Sequence, residues 1–90
     1  VYIGNLDETI ALCKQALKRK GLLIFSTEIC DNAAFKVLPS GRFAHNENYL
    51  VQLAKKNKLK ILYNEIIQAR MQYDEAVMGR IMVMQPKFLL

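Results

Sequence analysis

One apolar run near the start of the chain most constrains its fold. Residues 21–28 read Gly-Leu-Leu-Ile-Phe-Ser-Thr-Glu, and the first five do not alternate with polar residues as a half-buried strand would. The run therefore predicts a central strand that is buried on both faces. A helical pattern precedes it and another follows it after a loop, and this order of elements is typical of an α/β fold.

Two amphipathic helices are predicted on either side of this strand. The first begins at Asn5, a residue type that favours the N-cap position, and ends at Gly21. Its apolar stripe comprises Leu6, Ile10, Cys13 and Leu17. The second begins at about Asn46 and ends at about Asn57. Its buried stripe comprises Tyr49, Leu50, Leu53 and Ala54.

The connection between the strand and the second helix, residues 30–43, is rich in residue types that form turns. These are Asp31, Asn32, Pro39, Ser40 and Gly41. Long irregular loops in small domains are usually functional or disordered. We therefore expect an irregular segment that carries functional residues.

Residues 59–73 carry two conflicting patterns. The residues at helical spacing are Leu62, Ile66, Ala69 and Tyr73, and periodicity alone favours a helix. The residues that alternate as in a strand are Leu59, Ile61 and Tyr63. Residues 76–85 are rich in Val, Ile and Met and predict a strand that ends at Pro86. A hairpin between the two segments would make the first one a strand as well.

Composition limits the class of protein. Ninety residues form one small domain at most, with a modest core, and a hydrophobic share of 52% suggests that apolar surface meets another chain or domain. Because the chain begins with Val1, we expect a fragment or the ordered part of a longer protein. Cys13 and Cys30 have neither metal-ligand nor disulfide spacing, which favours a reducing cytoplasm. No apolar run is long enough to span a bilayer, so no membrane partner is expected.

The formal net charge of +5 has two interpretations. Residues 18–20 and 55–58 place most of the clustered cations at predicted helix ends, where they complement the helix dipole. This placement predicts solvated helix ends and no nucleic-acid partner. The weaker alternative is a basic nucleic-acid-binding module, whose affinity would fall steeply with salt.

Four sequence pieces occur in a suggestive order. They are residues 1–6 (Val-Tyr-Ile-Gly-Asn-Leu), 20–26 (Lys-Gly-Leu-Leu-Ile-Phe-Ser), 40–45 (Ser-Gly-Arg-Phe-Ala-His) with Tyr49, and 77–79 (Val-Met-Gly). Together they resemble the C-terminal half of a class I S-adenosylmethionine-dependent methyltransferase, of the type often attached to tetratricopeptide repeats. Two turns depart from the family pattern: Asn57 stands where relatives often have glycine, and residues 19–21 lack the usual proline or second glycine.

The resemblance implies a Rossmann-like sheet of seven strands. This chain would form a single partial domain, residues 1–90, with the last three strands, a C-terminal antiparallel hairpin and two helices. In the family, the glycine-rich turn and the acidic residue that hold S-adenosylmethionine belong to the N-terminal half. We therefore expect this chain alone to bind the cofactor weakly or not at all and to be inactive, whereas the parent would methylate a small molecule.

Four residues are candidates for ligand contacts. Arg42 and His45 lie in the connection that leaves the carboxyl end of the central strand, the edge at which open α/β sheets bind ligands. Arg42 would pair with an anionic substrate group, and His45 would donate a hydrogen bond or accept a proton. Alternatively, Arg42 ties the loop to the second helix and His45 sits beside its cap. Glu28 could face the same pocket, and the resemblance makes Tyr2 a candidate for cofactor contact, with simple packing as the alternative.

No catalytic residue and no metal ligand is predicted. A soft metal site is one interpretation of the methionines, but core packing explains better why one strand face would carry Met78, Met82 and Met84. A second function class stays open beside the methyltransferase. The chain could be a non-catalytic interaction module, a homodimer in which two Gly21–Glu28 strands pair antiparallel through an exposed sheet edge.

Overall fold

A computed structural model of the chain places two helices on a mixed five-stranded sheet. It describes residues 5–18, 20–31, 33–39 and 41–87. The elements are α1 (Asp7–Ala16), β1 (Leu23–Ile29), β2 (Phe35–Val37), β3 (Phe43–His45), α2 (Glu47–Lys56), β4 (Leu59–Gln72) and β5 (Glu75–Pro86). The α/β class is confirmed, but the described residues form five strands where three were predicted.

The strands lie in the order β2-β3-β1-β5-β4, so β1 is the central strand, as predicted. β5 pairs antiparallel with both β1 and β4, whereas β3 pairs parallel with β1. The predicted antiparallel hairpin of the last two strands is therefore confirmed. This long hairpin of β4 and β5 gives the molecule an elongated shape, with extents of 49 × 20 × 20 Å.

The two predicted apolar helix stripes pack on one face of the sheet. The buried core comprises Leu6, Ile10, Leu50, Leu53, Ala54, Leu59, Met82 and Met84. Asn46 caps α2 as predicted, since its side chain accepts a hydrogen bond from the amide of Asn48 at 2.8 Å. α1 ends at Ala16 rather than at Gly21, because Leu17 already has extended backbone angles and Gly21 closes a separate turn onto Lys18.

The prediction that β1 is buried on both faces is wrong. Leu23 and Phe25 pack against the core, whereas Ile24, which points to the opposite face, is 59% exposed. The reason is that both helices pack on the same face of the sheet, so their side chains cover only that face. Of the described residues, none forms a helix on the other side, so an apolar strip of β1 remains accessible there.

The connection after β1 is more regular than its composition predicts. β2 and β3 form a small antiparallel hairpin, in which Phe35 pairs with His45 and Val37 with Phe43. Gly41 makes the turn possible because its φ of +85° lies in the left-handed region that favours glycine. The amide of Leu38 then bonds to the carbonyl of Arg42 at 2.7 Å and closes the turn. Three-residue strands are too short to show a period in the sequence.

Residues 59–72 form a strand, so the helical period read from this segment is misleading. β4 departs from regular pairing with β5 at two points, between Ile61 and Tyr63 and between Gln68 and Arg70. Each irregularity inserts a residue and resets the alternation of the faces. Because the alternation starts again after each extra residue, apolar residues recur at intervals of three and four although the segment is not a helix. Neither of the two helices that the structure does contain among its described residues is long and apolar enough to cross a membrane.

Candidate functional site

A cavity of about 330 Å³ lies at the carboxyl end of β1, between the β2–β3 hairpin and β4. It is lined by Ser26, Thr27, Glu28, Arg42, Ala69 and Arg70. Two of the predicted site residues, Glu28 and Arg42, therefore meet in one cavity. Its volume is at the small end of the roughly 300–1,000 Å³ typical of ligand pockets.

Glu28 forms an ion pair with Arg70, a residue that the sequence analysis missed. The Arg70 Nη2 atom donates a hydrogen bond to Glu28 Oε1 at 2.8 Å, and the two side chains are 24% and 7% exposed, respectively. The second carboxylate oxygen, Glu28 Oε2, is closed off from solvent and accepts no hydrogen bond from the described residues. An unsatisfied buried oxygen of this kind costs about 1–3 kcal/mol.

Arg42 reaches the cavity from the turn that precedes β3. The left-handed Gly41 and the bond between Leu38 and the Arg42 carbonyl fix the backbone at this point. Parallel pairing of Glu28 with Ala44 then brings the start of β3 beside the end of β1. Two guanidinium groups and one carboxylate therefore line the cavity.

Gly79 on β5 allows β1 and β4 to approach each other beneath this ion pair. Its Cα is the register partner of Glu28. A Cβ atom at this position would lie 2.9 Å from Cβ of Ala69, closer than real contacts allow, and 3.0 Å from the carbonyl oxygen of Thr27, which is a tight contact. A glycine inside a strand is a recognised sign of close backbone approach, so the sequence did hold a clue to this position.

His45 does not line the cavity. Its side chain is buried, with 1% of the residue exposed, and its Nδ1 atom is hydrogen-bonded to the hydroxyl group of Thr27. The imidazole ring stacks on Tyr49 at 6.4 Å with an interplanar angle of 10° and also contacts Phe35. His45 therefore packs between the sheet and α2, and Thr27 connects it to the cavity.

Tyr49 completes the polar contacts behind His45. Its hydroxyl group accepts a hydrogen bond from the amide of Leu6 at 2.9 Å and donates one to Asp7 at 3.1 Å. Burial is the largest cause that raises the pKa of Tyr49 above its ordinary value, and the neighbouring Asp7 carboxylate raises it further. These bonds tie the beginning of α1 to α2.

A second depression lies at the N-terminal end of α2. It has a volume of about 460 Å³ and is lined by Ala33, Ala34, Asn46, Asn48, Tyr49 and Gln52. Although it is larger, it is also more open to solvent, and none of the side chains that line it carries a charge. The cavity of Glu28, Arg42 and Arg70 is therefore the better candidate for specific ligand binding.

Two further predictions concern residues away from the cavity. Tyr2 lies outside the described residues. Met82 and Met84 are fully buried in the core, whereas Met71 and Met78 lie exposed on the hairpin, so the methionines do not converge on one site. Within the part of the chain that the structure describes, no three His, Cys, Asp or Glu residues are grouped so as to hold a metal ion.

Comparisons with known proteins assign neither a family nor a function to this chain. The chain matches no protein-family model and no curated protein.

Proposed function

We propose that this chain is the C-terminal, substrate-side half of an S-adenosylmethionine-dependent methyltransferase that acts on a small molecule. The observation that carries the proposal is the ionic cavity at the carboxyl end of β1. It brings Arg42, from the motif at residues 40–45, next to Glu28, at the sheet edge where α/β proteins bind ligands.

The chemistry of methyl transfer fits such a cavity. The reaction needs the acceptor atom, the methyl group and the leaving sulfur to be aligned, and alignment alone contributes much of the rate. Charged groups that fix the orientation of a substrate supply this alignment. We assign no catalytic acid or base, and His45 is too deeply buried to contact a substrate in the cavity.

S-adenosylmethionine would be held mainly by an N-terminal half, which would continue the sheet from β1. The pairing of β1 with β3 involves only Glu28 and Ile29. On that side of β1, residues 23–27 pair with no strand in the described part of the chain. This open edge, together with the exposed Ile24, provides the place for a further strand and the structure that covers it.

The test is to express the longest reading frame that contains this chain and to measure both cofactor binding and methyl transfer. We expect one S-adenosylmethionine per polypeptide by calorimetry, and transfer of labelled methyl groups to a small-molecule pool. The 90-residue chain alone should bind the cofactor weakly or not at all. A folded longer protein that does not bind S-adenosylmethionine at millimolar concentration would contradict the proposal.

The same open edge favours a second candidate, an interaction module that self-associates. Two copies of β1 could pair antiparallel about a two-fold axis and extend the sheet across both chains. Ile24, a large exposed apolar residue of β1, would gain a neighbouring side chain on the same face from the paired strand. In this case the 90-residue chain would be a dimer, and no cofactor would be needed.

A further inference from the structure

We propose that the end of the sheet opposite the cavity binds the phosphate backbone of a nucleic-acid duplex, without regard to its sequence. This surface, here called the lysine end, comprises seven exposed lysines: Lys18, Lys20, Lys55, Lys56, Lys58, Lys60 and Lys87. Binding there is independent of the proposed methyl transfer, because the lysine end lies at the amino end of β1 and the cavity at its carboxyl end.

The fold brings together lysines that are far apart in the sequence. The side-chain amide of Gln85 donates a hydrogen bond to the carbonyl of Lys20 at 3.3 Å, and Gln85 is also the register partner of Lys60. The backbone amide of Lys87 donates to the carbonyl of Lys58 at 2.9 Å. The two basic runs of the sequence, each of which by itself only complements a helix dipole, therefore form one surface with the ends of β4 and β5.

No Asp or Glu side chain neutralises the lysine end, and the described residues include every Asp and Glu of the chain. These eight side chains lie in the first turns of both helices, at and just after the carboxyl end of β1, in the middle of β4 and at the β4–β5 turn. Both salt bridges of the described residues use arginine. The C-terminal end of α2 carries a partial negative charge of about half a unit, which Lys55 and Lys56 exceed. The surface therefore keeps a strong positive charge.

The arrangement of these cations fits a linear polyanion. Lys20 precedes β1, Lys87 follows β5 and Lys60 is the second residue of β4, and these three strands are neighbours in that order. Since neighbouring strands lie about 4.8 Å apart, the three lysines form a row across the sheet. The molecule is 20 Å wide in both short dimensions, and a duplex offers on the order of ten phosphates over that length. Phosphate contacts carry no sequence information, so binding should not depend on sequence.

Fluorescence anisotropy with a labelled DNA duplex of about 20 base pairs, or two helical turns, tests the proposal on the 90-residue chain. We expect a dissociation constant of about 10⁻⁴–10⁻⁶ M near physiological salt, equal for two duplexes of unrelated sequence. The logarithm of the association constant should fall with the logarithm of the salt concentration, with a slope of about −3 or steeper, because each phosphate contact contributes about −0.9. A shallower slope would overturn the proposal.

Variants locate the binding surface. Combined Lys20→Gln, Lys60→Gln and Lys87→Gln removes the row and should weaken duplex binding at least tenfold. Lys60→Gln alone should make the salt slope shallower by about one, whereas Lys36→Gln, an exposed lysine on β2, is the matched control and should leave the slope unchanged. Melting temperatures confirm that each variant is folded. Equal effects of the two single variants would mean that net charge alone governs binding, and this would overturn the proposal.

An anionic membrane is the other polyanion that a polybasic surface can bind. Sedimentation with phosphatidylserine-rich vesicles at the same salt concentration distinguishes the two. We expect the chain to bind the duplex more tightly than the vesicles. Saturable vesicle binding that is lost in the triple variant, with no duplex binding by the natural chain, would assign the lysine end to a lipid surface and overturn the proposal.

Discussion

The Arg70 guanidinium on β4 donates to the Glu28 carboxylate on β1 at 2.8 Å, across the intervening strand β5 and over 42 residues of sequence. Because Glu28 is nearly buried, removal of Arg70 leaves a carboxylate without its counter-ion. We expect Arg70→Gln to lower the free energy of unfolding by about 2 kcal/mol. Urea denaturation measures this change.

A double-mutant cycle separates the ion pair from other losses. Glu28→Gln combined with Arg70→Gln should recover at least half of the stability lost in Arg70→Gln, since no buried charge remains. If the double variant is no more stable than Arg70→Gln, the two side chains do not depend on each other.

Gly79 should not tolerate a methyl group. Gly79→Ala puts a Cβ atom 2.9 Å from Cβ of Ala69, and overpacking of this kind costs roughly 1–3 kcal/mol. Combining Gly79→Ala with Ala69→Gly removes the Cβ atom that clashes with the new methyl group, and this double variant should regain part of the stability. Thermal unfolding of both variants checks this expectation, and a Gly79→Ala variant as stable as the natural chain would contradict it.

Arg42 and His45 should respond differently to truncation. His45 is fully buried and bonded to Thr27, so His45→Ala should destabilise the chain by about 2–4 kcal/mol. Arg42 is only partly buried, and Arg42→Ala should change stability by less than about 1 kcal/mol. In the longer protein, Arg42→Ala should lower methyl transfer about tenfold, a change of about 1.4 kcal/mol in transition-state stabilisation.

Urea denaturation of the two single variants tests the stability half of this expectation. Equal and small losses would show that the His45 ring is not an essential part of the interior. A large loss in Arg42→Ala would show instead that this side chain ties the β2–β3 hairpin to the rest of the fold.

Tyr49 should make stability depend on alkaline pH. Its pKa is raised in the folded state, chiefly by burial, so the folded form keeps the phenolic proton after the unfolded form has lost it. The stabilisation is complete below the ordinary pKa near 10 and is lost as pH rises through the folded value.

Unfolding free energies measured between about pH 9 and pH 11 check this sign. Tyr49→Phe should reduce the loss of stability over that range, whereas the control Tyr73→Phe, at a tyrosine that is 91% exposed, should not. Equal slopes in all three proteins would contradict the assignment to Tyr49.

The open edge of β1 predicts a concentration-dependent dimer of the 90-residue chain. Ile24→Lys places a charge on the exposed strip beside that edge and should weaken self-association at least tenfold without unfolding the chain. Ile66→Lys on β4 is the matched control, because Ile66 is exposed to a similar degree but lies on the strand at the opposite end of the sheet. Sedimentation equilibrium measures both. A natural chain that stays monomeric at millimolar concentration would contradict the dimer.

Most of the core could be predicted from sequence, whereas the ion pair of the site could not. The stripes that include Ile10 in α1 and Leu53 in α2 have the helical period, and Asn46 is a strong cap, so local pattern located both helices, although it placed the end of α1 at Gly21 instead of Ala16. The strand β4 was ambiguous because its two irregular points break the alternation. Arg70 lies just past the second of these points, and its partner Glu28 can be found only from the register of three strands.

The position of β5 has a consequence for how the chain folds during synthesis. β1 and β4 are not paired with each other in the sheet: both pair with β5, which follows both of them in the chain. While the polypeptide emerges from the ribosome, β4 and the part of β1 that does not pair with β3 lack their partner strand, and the central part of the sheet forms only after β5 has been made. Such long-range closure is slow, so the nascent chain should depend on chaperones more than its small size suggests.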